Sequence, residues 1–388
     1  NDQLVNFEKA AKKHSLKAKW LVDASGRASL LKRKLALKKK LRHNINAAWF
    51  RIAAKINVDD WSQNAEWQQR NEHSRYLSTN HLYGKGYWTW LIPLSSGSTS
   101  IGIVADERFH SFKSINTFEK AREWLKKHEP QCSAMVEENL DCFQDFLALK
   151  QFSYSCKQLY SADGWCLTGD SGMFLDPLYS PGSDFIGMNN GFITDIISKS
   201  LAGQNISVEV KQHERTFRSI FAGFLPIYED QYPTMANSKV MSSKFIWDIM
   251  MYWGGIGPLF FKQKLTDLKF MELVRPILSE FFILNVRLQN LFRDWAAIDD
   301  AQKHAGGNFL DYAEIPLLQQ LNRNLLEFQE DEALLQQLRK NIKSAEELAA
   351  EIYLEALKYY PELKDENVDL SNSQAGHLKE FYDEFTIC

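Results

Sequence analysis

Residues 164–195 read GWCLTGDSGMFLDPLYSPGSDFIGMNNGFITD, and the fold is decided in this stretch. A short apolar run, Trp165-Cys166-Leu167, ends in Gly169-Asp170. Asp176-Pro177 follows, then Ser180-Pro181-Gly182, then an amphipathic helix. The helix runs from about 183 to 200, with Phe185, Ile186, Phe192, Ile193, Ile196 and Ile197 at its apolar positions. A carboxylate at a strand end accepts from a sugar hydroxyl. With Ser180 as N-cap and Pro181 as first helical residue, the N–H groups of Gly182 and Ser183 are free to face negative charge. Together these features suit a flavin, its ribityl chain along the strand end and its ring over the helix start. Each has a plainer account as well. Gly169-Asp170 is a common dipeptide, Asp176 fixes a turn as readily as it contacts a ribitol, and Asn189 serves as a ring partner or as an exposed amide.

Two stretches upstream carry related signals. Lys19 to Arg27 read KWLVDASGR, a buried-type strand over 19–24 that ends in Asp23. Gly26 permits the backbone turn after it, and Arg27 stands near any anionic group held there. An Asp that merely caps the next helix fits equally. Residues 88–93 read WTWLIP. Trp88 and Trp90 alternate on a strand, so both rings share a face. Two core tryptophans would do the same.

Taken in order and spacing, the three segments resemble the flavin-dependent halogenases, within the wider class of FAD-dependent aromatic hydroxylases and reductases. The resemblance covers roughly residues 15–200 in register. Trp88, Trp90, Ile92 and Pro93 match the family pattern of two tryptophans one residue apart, any residue, Ile and Pro. It implies FAD, with Asp23, Gly26, Arg27, Gly169, Asp170, Asp176, Pro177, Gly182, Ser183 and Asn189 toward the cofactor, and Trp88, Trp90, Tyr179 and Ser180 toward the reaction. It implies reduced FAD supplied by a separate flavin reductase, oxygen, and a small aromatic substrate or a carrier-tethered acyl group. The family's G-x-G-x-x-G turn is not found, and a chain beginning at Asn1 is expected to be truncated at its N-terminus. A βαβ unit of ~30 residues would be the smallest loss. The family's catalytic lysine lies in that part. Gly254-Gly255-Ile256-Gly257 does not replace the turn, since it sits in an aromatic stretch before Pro258. There are two departures. Tyr179 stands where tryptophan halogenases carry glutamate, a residue that phenol- and pyrrole-type members also lack. Pro181 lacks an N–H and removes one expected chloride donor.

The rest of the chain is read by periodicity. Strands are expected at 46–58, 74–82, 86–94 and 98–106, the last two joined at Ser95-Ser96-Gly97. Asn116 with Glu119 forms a capping box for a helix to about His128, and Pro130 ends it. A strand returns at 151–159, then 165–168. Residues 28–43, ASLLKRKLALKKKLRH, read as a solvated basic face, with an anionic partner or the flavin phosphate as the other account. Beyond Gly203 the chain is helical, clearest at 278–297 and 344–359. The expected fold is α/β plus α+β: an incomplete FAD-binding α/β domain (1–43, returning at 161–202), an antiparallel substrate sheet (44–160) and a helical C-terminal region (203–388).

Composition sets the bounds. A net charge of −3 gives no global basic signature for nucleic acid. An odd count of five cysteines (Cys132, Cys142, Cys156, Cys166, Cys388) without zinc spacing points to a reducing, cytoplasmic setting. No apolar run approaches the roughly 20 residues of an integral membrane segment. His14, His43, His73, His81, His110, His128, His213, His304 and His377 have no ligand spacing, so no metal is expected. An FAD-dependent oxidoreductase of halogenase type is the leading expectation. A halide-independent monooxygenase or dehydrogenase/reductase on the same scaffold is the second. A degenerate, non-catalytic flavoprotein fragment is the third.

Overall fold

The computed structural model describes residues 2–9, 12–70, 73–299 and 310–365, with 368, 370, 371, 376–378 and 382. Asn1, His304 and Cys388 lie outside the described residues. A hairpin of β1 (Gln3–Lys9) and β2 (Lys12–Ala18) comes first. Strand β3 (Leu21–Asp23) is the one expected at 19–24. Gly26, at φ +59, turns the chain toward the short helix α1 (Leu30–Lys34). Strand β4 (Lys38–Lys40) leaves its three lysines in solvent. The basic stretch is therefore mostly a solvated face, with Lys32 as the exception. Its side chain is buried, donates to the Gly172 carbonyl at 3.0 Å and lies 3.9 Å from the Tyr154 ring centroid. Burial lowers its pKa to about 8.

The main sheet contains β5 (Ile45–Ile52), then, after the short helix α2 (Ala65–Gln69), β6 (Asn80–Gly84), β7 (Tyr87–Pro93), β8 (Thr99–Asp106) and β9 (Phe143–Leu149). Its order is β6-β7-β8-β5-β9, antiparallel throughout. Gly97, at φ +82, makes the expected β7–β8 turn. The strand expected at 74–82 begins only at Asn80, because Ser74 caps a 3-10 turn over Arg75–Leu77. The central strands β5, β7 and β8 are covered on both faces and read as near-continuous apolar runs, while the edge strands β6 and β9 are partly exposed. Ile45, Ala47, Trp88 and Val104 join the core shared with the C-terminal helices. Phe50, Tyr87, Leu91, Ile101 and Ile103 face α3 (Phe118–His128) and α4 (Pro130–Glu138). Thr117, not Asn116, caps α3, its Oγ accepting from the Lys120 N–H. Pro130 follows the end of α3 and opens α4, where its missing N–H costs nothing.

The return expected at 151–159 shrinks to β10 (Tyr154–Cys156), paired with β4. Then come β11 (Tyr160–Ser161) and β12 (Trp165–Leu167). β12 lies parallel to β3, with Leu167 opposite Asp23. This pairing brings KWLVDASGR and Gly169-Asp170 side by side although they are far apart in sequence. Helix α5 (Pro181–Leu201) follows and buries Phe192, Ile193 and Ile196, while Ile186 is 39% exposed.

The C-terminal region is helical, as expected: α6 (Ser207–Phe224), α7 (Ser238–Met251), α8 (Gly257–Phe261), α9 (Leu268–Ile298), α10 (Pro316–Leu326) and α11 (Asp331–Leu357). Gly254, Gly255 and Ile256 belong to a π turn, Tyr252–Ile256, and Gly257 opens α8; the Gly254 carbonyl accepts from Asn341 Nδ2 at 2.8 Å. None of the described helices is long and apolar enough to cross a membrane. A buried ion pair, Lys239 with Glu355, ties α7 to α11, the two residues being 3% and 1% exposed. Removing one partner strands a charge away from water. Glu355→Ala is expected to lower unfolding free energy by about 3–5 kcal/mol. Urea unfolding followed by circular dichroism checks this.

Candidate functional site

The parallel pair β3/β12 ends against the N-terminus of α5, and this is where the sequence-predicted residues collect. Thr168 N–H donates to the Asp23 carbonyl at 3.0 Å, holding the Gly169 turn beside β3. Asp23 itself is spent locally. Its Oδ1 accepts from the Ser25 N–H at 2.9 Å and hydroxyl at 2.6 Å, and its Oδ2 from the Leu31 N–H at 2.6 Å. The side chain thus caps the turn into α1. Burial opposes its charge, but these hydrogen bonds prevail and hold its pKa below the ordinary value. Arg27 spans the gap to the return segment. Its guanidinium donates to the Phe152 carbonyl at 3.2 and 3.3 Å, lies 3.8 Å from Asp170 Oδ2, and packs over the Phe174 ring. Burial raises the pKa of Asp170, with Arg27 and Lys32 pulling the other way.

Gly169 adopts φ +58, and its missing side chain leaves contact distance to Ile186. Gly169, Asp170, Asp176, Pro181, Gly182 and Asn189 line one narrow cleft of about 20 Å³. Pro181 is the first residue of α5, as expected, and Ser180 sits at the N-cap position. The Ser180 side chain makes no cap bond, because its backbone is left-handed at φ 54 and Tyr179 before it is at φ 64. Two consecutive left-handed non-glycine residues cost roughly 1–2 kcal/mol each. The Ser180 N–H bond to the Pro177 carbonyl, 2.9 Å, fixes the turn. Gly182 has open space where a Cβ would stand, and Ser183 is exposed. Asn189 is neither an exposed amide nor free to reach a ring. It is 2% exposed, accepts from the Tyr160 hydroxyl and donates to the Leu167 carbonyl at 3.0 Å. Its role is to clamp α5 onto the end of β12.

Asp176 also differs from a ribitol contact. It is 2% exposed and forms the hub of a buried chain. Oδ1 accepts from the Leu178 N–H at 2.9 Å, which is the turn-fixing role. Oδ2 meets His43 Nε2 at 2.6 Å and the Tyr232 hydroxyl at 2.8 Å. That hydroxyl accepts from Trp88 Nε1 at 3.0 Å. The tryptophan pair on β7 is thereby wired to the turn that opens α5. Trp88 and Trp90 share a face, with ring centroids 5.6 Å apart, and Trp90 Nε1 donates to Ser100 Oγ at 3.1 Å. Trp88 is almost fully buried and Trp90 half-buried. No sequence signal marked His43 or Tyr232 as members of this network.

Across Pro181 and Phe185 lies a cavity of about 310 Å³. Tyr179, Tyr228, Phe245, Asp248 and Trp253 are among its lining residues. The π turn contributes Tyr252 and Trp253, so the glycine cluster dismissed as a phosphate loop shapes this wall instead. Behind Asp248 sits Lys244, wholly buried and bonded to it one helical turn earlier. A legible signal existed here: a Lys and an Asp four residues apart inside the apolar run KFIWDIMM. Among the described residues no cluster of His, Cys, Asp or Glu is arranged to hold a metal ion. Removing the bridge of the Asp176 network is expected to loosen the site. Tyr232→Phe should cost about 1–3 kcal/mol in urea unfolding, and Asp176→Ala more, because three donors lose their acceptor.

No family model matches the chain. Individual proteins do. A flavin-dependent halogenase, chlA, of Dictyostelium discoideum is 25% identical over 186 residues, 47% of this chain and 30% of that protein. A 1H-pyrrole-2-carbonyl-[peptidyl-carrier protein] brominase of Pseudoalteromonas luteoviolacea is 29% identical over 200 residues, 50% of this chain and 45% of that protein. The chain thus spans less than half the length of these curated relatives. Among solved structures, halogenase PltM superposes with a TM-score of 0.54 over 89% of this chain and 67% of that one, at 15% identity, which is a likeness of fold. By these likenesses the chain is similar to flavin-dependent halogenases in part of its sequence and in its fold.

Proposed function

We propose that this chain carries the substrate sheet, the helical region and part of the flavin site of an FAD-dependent oxidoreductase of halogenase type. One observation supports the reading above the rest. Two strand ends remote in sequence, at Asp23 and Gly169-Asp170, are paired in parallel and face the N-terminus of α5 beside an aromatic cavity. The substrate sheet is assigned to 44–160 and the flavin-side segments to 1–43 and 161–202.

The residues fit such a cofactor. Gly169, at φ +58, and Gly182, with no atom within 4 Å of a built Cβ, leave the backbone open to close approach. Asp170 stands at the cleft as an acceptor for a hydroxyl, and Arg27 beside it matches an anionic group. The N–H groups of Gly182 and Ser183 at the start of α5 favour negative charge on a bound ring edge. Asp23, Gly26, Asp176, Pro177 and Asn189 act at one remove, by holding the turns and the helix. Trp88 and Trp90 line neither the cleft nor the cavity and act at one remove, Trp88 through Tyr232 and Asp176. Tyr179 faces the cavity, and the strained Ser180 sets the direction of α5. When bound, FAD supplies the redox chemistry with oxygen; the protein's part is to position, to exclude water and to present an aromatic substrate. Two relatives are named for a pyrrole ring held on a carrier protein, which favours an aromatic ring on a carrier as substrate. A separate reductase as the source of reduced flavin follows from the family resemblance alone.

A halide-independent oxidation is the second reading, and Pro181 favours it. With no N–H at the first position of α5, one donor for a halide is absent. The test takes the full protein, scans it for flavin absorbance, then mixes reduced enzyme with oxygen and phenol- or pyrrole-type substrates, with and without chloride or bromide. Halogenated product mass is the expected outcome; oxygenated or dehydrogenated product independent of halide would replace it by the second reading. Protein that folds but never binds flavin would sink both. A sharper prediction concerns Gly182→Val. Space around this position lets the variant fold, yet its side chain occupies the approach to α5. Flavin affinity should fall at least about tenfold, a loss near 1.4 kcal/mol, measured by flavin fluorescence titration.

A further inference from the structure

The cavity behind the start of α5 holds polar chemistry that a flavin would not use. Its walls include Phe185, Phe224, Phe245, Tyr228 and Trp253. Into this apolar chamber comes Asp248, 5% exposed. A carboxylate has room for about four hydrogen bonds. Lys244 Nζ takes one at Oδ2, and Gln289 Nε2 takes one at Oδ1, at 2.7 Å. The Tyr179 hydroxyl is a further neighbour acting on the same group. Capacity remains on the cavity side. Burial pushes the Asp248 carboxyl up and the Lys244 ammonium down, and each group restrains the shift of the other.

Charge narrows the ligand. A second carboxylate, Asp184, also lines the cavity, and the Tyr252 hydroxyl interacts with it. Among the described lining residues there is no lysine or arginine, since Lys244 lies behind Asp248. An anionic ligand would bring like charge to two carboxylates in a low-dielectric chamber with no cation to meet it. A neutral ring fits the aromatic walls, and a hydrogen-bond donor on it fits the unfilled acceptor.

We propose that this cavity binds a neutral planar aromatic ligand whose ring O–H or N–H donates to Asp248, with Lys244 and Gln289 as positioning residues for that carboxylate. The ligand's being the substrate rests on the function proposed above; the binding does not require a flavin. Tyr179 and Asp248 then set specificity: phenols and pyrroles are accepted, their O- or N-methylated forms and free aromatic acids are not.

Calorimetric titration of the full, flavin-free chain with three probes tests this: 4-ethylphenol, 4-ethylanisole and 4-ethylbenzoate. The phenol is expected to bind roughly tenfold tighter than the anisole, the worth of one hydrogen bond to a charged acceptor, with the benzoate weakest. Replacing the pair together, Lys244→Met with Asp248→Leu, leaves no stranded charge and should preserve the circular dichroism spectrum. It should bring phenol and anisole within about threefold of each other. If that double variant does not fold, Gln289→Met must reduce the preference at least about threefold, because it frees the carboxylate to turn. Equal binding of phenol and anisole, benzoate binding as tight as phenol, or a preference unchanged in the folded variant would overturn the proposal. Flavin binding without phenol binding would overturn this inference alone. Phenol discrimination in a protein that never takes up flavin would leave it standing and remove the function proposed above.

Discussion

A single buried carboxylate, Asp176, sets the geometry on which the candidate site depends. It sits where three parts of the chain meet: the basic segment that ends at His43, the sheet through Trp88 and Tyr232, and the turn that opens α5. An acceptor with no water around it must be satisfied by protein donors, and each of these donors is held by a different element. The network therefore fixes angles between elements, which apolar packing alone leaves looser. If the carboxylate reached a ligand instead, its partners would lose their common acceptor. Its position favours the turn-fixing account of Asp176 over the ribitol contact that the sequence left equally open.

The same constraint supports the left-handed pair at Tyr179 and Ser180. Proline disfavours the right-handed helical region for the residue before it, so Ser180 cannot simply extend α5 backward. The chain instead turns through two positive-φ residues, at a cost that surrounding contacts must offset. Those contacts are the Leu178 N–H on Asp176, the Ser180 N–H on Pro177 and the burial of Leu178. The result is a helix whose first free N–H groups open toward the cleft while Tyr179 points the other way, into the cavity.

Much of this was legible in the sequence, for identifiable reasons. Strand β3, the β7–β8 pair, α5 and the helical C-terminal region follow from periodicity and from Gly and Pro at turns, which are local signals. The convergence of Asp23 with Gly169-Asp170 came only from resemblance, because no local rule pairs strands so remote. The roles that the sequence left open share one cause. Asp23, Asp176 and Asn189 are polar residues near a cleft, and sequence does not tell a side chain that faces a ligand from one that satisfies a buried backbone. Asn189 shows this most clearly, its amide being consumed by Tyr160 and the Leu167 carbonyl. Lys32 failed in the opposite sense. A lysine in a basic run is ordinarily solvated, yet the Tyr154 ring and the Gly172 carbonyl give this one a buried seat.

Lys244 and Asp248 add a further lesson about buried charge. A pair of this kind gains little stability over well-packed apolar side chains of the same volume, because desolvation cancels most of the attraction. Helix α7 sets apolar neighbours beside it, with Ile246, Trp247, Met250 and Met251 all buried. Methionine and leucine at the two positions would fill the space without the desolvation cost. Stability thus gives no strong reason for the pair, whereas recognition does: an acceptor held rigid by Lys244 and Gln289 at the edge of an aromatic chamber discriminates a ring that donates a hydrogen from one that cannot. On that argument the two sides of Tyr179 divide the work. The cleft toward Gly169 and Gly182 favours a large, electron-rich group through backbone donors, and the cavity toward Asp248 favours a small ring through a side-chain acceptor. Because the turn at Tyr179 and Ser180 belongs to both, a change in the Asp176 network that shifts α5 alters the two sides together.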